Sequence, residues 1–92
     1  MKSYEALRKQ QETLHREITD NLDFLMGSVS TKGPKRPGIN LTFKINQVTR
    51  TRHIRKEQEL RVKQMTARWR RLRVLLHRLS DVNWECVNRG VD

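Results

Sequence analysis

Lys63, Arg70 and His77 recur every seven residues in a stretch without Gly or Pro, with Arg71 and Arg78 beside them and Arg61 and Arg68 along one flank. An arginine fork matches phosphate oxygens better than a point charge does, so this pattern points to contact with a polyanion. A second group, Thr49-Arg50-Thr51-Arg52-His53-Ile54-Arg55-Lys56, sets cations next to hydroxyls that bond phosphate oxygens. A basic ribbon of that kind fits a major groove; the same charges also serve to keep an edge strand from aggregating. Lys44 precedes this ribbon, and Lys32, Lys35 and Arg36 sit in a Gly- and Pro-containing stretch ahead of it. The candidate nucleic-acid contacts are therefore Lys32, Lys35, Arg36, Lys44, Arg50, Arg52, Arg55, Lys56, Lys63, Arg70, Arg71 and Arg78, with DNA and RNA equally open.

Catalytic chemistry has little to stand on. His15, His53 and His77 fall on three different elements, and none has a second ligand at the helical spacing that metal sites use. No metal and no cofactor is expected. Cys86 occupies an apolar seam position, which suits a buried thiol rather than a nucleophile. The acids are scattered over helix surfaces instead of clustering as metal-assisted phosphodiester chemistry needs. Gly27, Gly33, Gly38 and Gly90 match no phosphate-cradling loop. With few aromatics, and Trp69 in the seam, stacking on single-stranded bases is a weak case. The chain is read as a non-enzymatic binding module.

Composition sets the limits of the fold. The 92 residues suffice for one small domain. Twenty Lys and Arg against ten Asp and Glu give a net charge of +10, which attracts nucleic acid and anionic surfaces. That charge is uneven: residues 1 to 26 net −1, whereas residues 32 to 78 carry fifteen cations against only Glu57 and Glu59. One cysteine excludes an internal disulfide and suits a reducing compartment. No apolar run approaches a membrane span, and Met1-Lys2-Ser3 leads into charged sequence rather than a signal-peptide core. A cytoplasmic protein without a membrane partner is expected.

These residues must be positioned by a small number of elements. Tyr4, Leu7, Gln11, Leu14, Ile18, Leu22 and Leu25 recur at three and four, predicting a helix over 4–26 with Ser3 as N-cap and Gly27 as its stop. Residues 28–38 read as a basic loop. Over 39–54 the period changes to two, and Ile39, Leu41, Phe43 and Ile45 alternate with polar residues, predicting a β-hairpin. A two-residue turn at Asn46-Gln47 puts Arg50 and Arg52 on the face of Leu41 and Phe43. A three-residue loop, Asn46 to Val48, gathers Lys44, Arg50 and Arg52 opposite the apolar face, and is favoured because it segregates charge. The seam Val62, Met65, Trp69, Leu72, Leu76, Leu79, Asn83, Cys86 then predicts a long helix over 56–87.

The expected fold is mostly α: an antiparallel, coiled-coil-like two-helix hairpin with an inserted basic β-hairpin, forming a single domain over 1–92. The long helix exceeds the first by about nine residues, roughly 13 Å at its rise per residue, and its start should face Leu22 and Leu25. Its far end should then overhang, leaving Leu79, Val82, Asn83, Trp84 and Cys86 to bury against a second copy or a protein partner. A coiled-coil adaptor for such a partner is the alternative function, and a basic amphipathic helix on membranes is weaker because Trp69 and the leucines are needed for the core.

Leu25-Met26-Gly27-Ser28, the ribbon Thr42 to Ile45 through Thr49 to Arg52, and Trp69-Arg70-Arg71-Leu72-Arg73 through Leu79 to Asn83 together resemble a bacterial family of short basic proteins of unknown function. The resemblance covers roughly Leu7 to Asn83. It implies a helix, a Gly-Ser step, a hairpin and a long helix, together with association with mobile elements. Such proteins often carry a cysteine in the Gly- and Pro-rich loop; Ser28 to Gly38 has none, so no metal or redox role carries over.

Overall fold

A computed structural model describes residues 4–30 and 38–90. Its elements run α1 (Tyr4–Asp20), β1 (Ser28–Ser30), β2 (Ile39–Ile45), β3 (Val48–Ile54), a 3-10 turn (Lys56–Gln58) and α2 (Glu59–Asn88). The three strands form one antiparallel sheet in the order β1-β2-β3. The expected two-helix hairpin with an inserted ribbon is thereby overturned: the chain is mixed α/β, two helices with a three-stranded sheet. The added strand, β1, lies in the stretch read as loop, where Ser28, Val29 and Ser30 pair with Thr42, Leu41 and Asn40. Three residues are too few for periodicity to signal a strand; pairing with β2 creates it.

The chain divides into two compact units, one formed by residues 1–22 with 70–92 and the other by 23–69. In the helical unit, α1 and the second half of α2 run in opposite directions, for Leu7 packs on Val82 and Cys86 while Glu17 pairs with Arg71 at 2.9 Å. Leu14 adds to the same cluster. Leu7 and Leu75 are fully buried, each stabilising the unit by about 1.5 to 3 kcal/mol relative to an exposed side chain. Gln11 occupies an otherwise apolar position and spends its amide on Asn83 Oδ1 at 2.8 Å and Cys86 Sγ at 3.6 Å.

Two expectations about this unit change. α1 stops at Asp20, not Met26: Asn21 donates its Nδ2 to the Glu17 carbonyl at 2.8 Å, and the last turn holds acids and no base, which opposes the helix dipole. The buried stripe of α2 also differs from the seam, being Leu72, Leu75, Leu79, Val82 and Cys86, with Leu79 half-buried and Leu76 and Asn83 exposed. Both stripes share Leu72, Leu79 and Cys86. The observed one wins because it buries Val82 where the other would bury Asn83.

The second unit is held around the segment 23–27. Phe24 stacks on Trp69 with ring centroids 5.3 Å apart, and the Leu25 N–H donates to the Met65 carbonyl at 3.2 Å. Phe24, Leu25 and Met26 line a groove with Leu41, Phe43, Ile45 and Arg52. Gly27 sits at φ 125°, and a Cβ there would lie 2.5 Å from the Thr42 carbonyl oxygen, so both the angle and the space require glycine. Its role is this close approach of backbone to β2, not the end of a helix.

Asn46 and Gln47, at φ 50° and 67°, form a two-residue turn, with Ile45 opposite Val48, Phe43 opposite Arg50 and Leu41 opposite Arg52. The favoured three-residue loop is corrected, and Arg50 and Arg52 stand on the apolar face. The turn chemistry decides this, since a primed turn matches the twist of the strands. The long aliphatic stems of arginine tolerate such a face, and the Arg52 guanidinium lies 5.0 Å over the Phe43 ring.

Candidate nucleic-acid interface

The register sorts the ribbon into two unlike surfaces. On one face of the sheet, Ser28, Asn40, Thr42, Lys44, Thr49, Thr51 and His53 stand at alternating positions across three strands. Every one of these side chains can hydrogen-bond and none is a carboxylate, which suits phosphate oxygens. The other face carries Arg50 and Arg52 among apolar side chains. Lys44 and the two arginines do not form one patch, contrary to the grouping expected from the loop of three.

In the helical unit, Arg70, Arg73, His77 and Arg78 surround Val74 in a shallow depression on α2. The three arginines make no ion pair among the described residues, while His77 Nδ1 stands 3.5 Å from Asp81 Oδ2. Arg78 also borders a cleft with Lys9, Thr13 and Leu14 of α1. Arg73 and Lys9 are the cations that sequence reasoning missed. The three-residue step from Arg70 to Arg73 was a readable signal; Lys9 had none, because its segment carries a net negative charge and only the fold brings it beside Arg78.

Other expected contacts are already engaged within the molecule. Lys63 meets Glu59 at 2.7 Å and Arg71 meets Glu17 at 2.9 Å, so both would have to exchange a partner for a phosphate. Asp23 serves Arg61 at 3.9 Å and Arg68 at 3.4 Å. Arg55 caps the 3-10 turn, its backbone N–H donating to Gln58 Oε1 at 3.2 Å, and leaves its side chain exposed next to Lys56. Lys32, Lys35 and Arg36 lie outside the described residues.

The residues expected to drive self-association also separate. Val82 and Cys86 are buried against Leu7, and Asn83 bonds Gln11, so α1 covers what was expected to overhang. Trp84 and Val87 are about two-thirds exposed, and Leu79 is half-buried. The physical reason is the register of the two helices, in which residues 7 to 17 of α1 lie against 71 to 86 of α2. Leu22, expected to face the start of the long helix, is exposed instead.

Among the described residues no group of His, Cys, Asp and Glu could hold a metal ion, and no helix is long and apolar enough to cross a membrane. No family model, curated protein or solved structure matches the chain.

Proposed function

We infer that the protein is a non-enzymatic nucleic-acid-binding module that contacts phosphates through the outer face of α2 and the polar face of the sheet. The carrying observation is the set of cations without acids: Arg70, Arg73 and Arg78 converge on one depression with no carboxylate partner among the described residues. Lys44 stands likewise unpaired on a face of hydroxyls and amides. Uncompensated positive charge at such density favours a polyanion that brings its own counter-charge. With about five phosphate contacts, the log-log dependence of duplex affinity on salt should have a slope near −4 to −5. Fluorescence anisotropy with a labelled duplex across a salt series measures it, and a flat response, or no binding at low salt, would overturn the reading.

The second reading, an adaptor that binds a protein partner or a second copy, rests on Trp84 and Val87 standing exposed in the last turns of α2. Sedimentation of wild type against Trp84→Glu checks it. A monomer at every concentration, with no partner covering Trp84, would dismiss it.

A further inference from the structure

β3 is an outer strand of the sheet, and among the described residues nothing bonds to its far side. The two-residue turn closes on a pair that exchanges hydrogen bonds. With Ile45 opposite Val48, alternation along the ladder directs the amides and carbonyls of Val48, Arg50, Arg52 and Ile54 inward to β2. Those of Thr49, Thr51 and His53 therefore point outward. The result is three donor-acceptor pairs along a seven-residue strand guarded by the charges of Arg50 and Arg52 and not by Pro, a bulge or shortness.

What could pair there is constrained by Arg50 and Arg52. In a strand added at this edge, the residues facing them would occupy the closer, non-hydrogen-bonded positions, where cross-strand charge acts most strongly. A second copy is disfavoured on that ground: pairing centred on Thr51, which uses all three outward groups, sets Arg50 of each copy against Arg52 of the other. A nucleic-acid backbone accepts hydrogen bonds from the three amides, but its phosphates have no donor for the three carbonyls. An extended peptide satisfies both, and carboxylates at alternate positions would face the two arginines, which make no ion pair among the described residues. We propose that the outer edge of β3 binds an extended acidic segment of a partner protein by strand addition. This edge offers backbone groups, whereas the phosphate contacts proposed on α2 and on the polar sheet face use side chains, so it stands or falls without them.

The test uses the full chain and a synthetic peptide of alternating Glu and Thr, about ten residues long to span a strand, read by residue-resolved amide exchange. Exchange at Thr49, Thr51 and His53 should slow roughly tenfold when free peptide is at roughly ten times its Kd. Unchanged exchange overturns the proposal. So does equal slowing by a Lys-Thr peptide, slowing that follows protein concentration without peptide, or slowing by an oligonucleotide alone. Thr51→Pro removes one outward N–H that the ladder does not use, and should abolish the peptide effect at Thr49 and His53. Should that variant misfold, Arg50→Glu with Arg52→Glu, both exposed, decides the matter by switching preference to the Lys-Thr peptide; retained preference for the Glu-Thr peptide overturns the proposal.

Discussion

Residues 23–69 carry eleven Lys and Arg against Asp23, Glu57 and Glu59, a net of +8, whereas the helical unit has nine cations against seven acids and nets +2. Near-neutrality in the helical unit is nonetheless segregated rather than cancelled. Glu12 and Asp20 of α1 make no ion pair among the described residues, and neither do Arg70, Arg73 and Arg78 of α2. Among the described residues, the ion pair that joins the two helices is Glu17 with Arg71. In the sheet unit the excess is real in number: Asp23 alone serves two arginines. A net charge thus hides a basic face in one unit and reports one in the other, because what attracts a phosphate is local field and not the total.

The contrast extends to stability. The sheet unit depends on a backbone approach at Gly27 that admits no side chain, while Gly90, past the end of α2, has nothing within 4 Å of an added Cβ. Gly27→Ala should cost about 3 to 5 kcal/mol, combining overpacking with backbone strain, against about 1 kcal/mol for Gly90→Ala. Urea unfolding of both variants measures the difference, and equal losses would mean that β1 can withdraw from β2 at little cost. In the helical unit, side-chain packing takes that place. Leu75→Ala should cost about 2 to 5 kcal/mol and Leu76→Ala well under half as much; the reverse order would restore the seam read from the sequence.

Smaller effects sharpen the electrostatic half of the comparison. Replacing Arg70, Arg73 and Arg78 together by Ala should flatten the salt slope by about one per arginine, and Lys44→Ala by about one, if each contacts a phosphate. A larger change from Lys44 than from the three arginines would move the interface from α2 to the sheet. Asp23→Ala is expected to alter stability by only about 0.2 to 1 kcal/mol, because its pairs with Arg61 and Arg68 are exposed. It should at the same time strengthen nucleic-acid binding slightly, by releasing two arginines. Weaker binding on that substitution would show that Asp23 positions those arginines rather than competing for them.

Much of this was legible in particular residues. The long helix is marked over 56–87 by its apolar seam and the lack of Gly and Pro; it runs from Glu59 to Asn88, residues 56–58 forming a 3-10 turn instead. Asn46-Gln47 is legible as a turn, but charge segregation favours a three-residue loop, and the twist of a primed turn outweighs it. Arg70 and Arg78 were found because heptad spacing keeps them away from the apolar positions. Arg71 satisfied the same rule and is engaged by Glu17, which spacing within one helix cannot reveal.

Local preference and periodicity are properties of neighbouring residues, and they determined the two helices, the β2-β3 hairpin, the thiol in the seam and the basic excess of the middle of the chain. Tertiary structure decided whatever depends on a partner distant in sequence. It made β1 a strand by offering it β2, and chose Leu75 over Leu76 for burial. It also covered Val82 and Cys86 with Leu7. Two stripes sharing Leu72, Leu79 and Cys86 are nearly equivalent along one helix, and they become unequal only when a second helix must cover one of them.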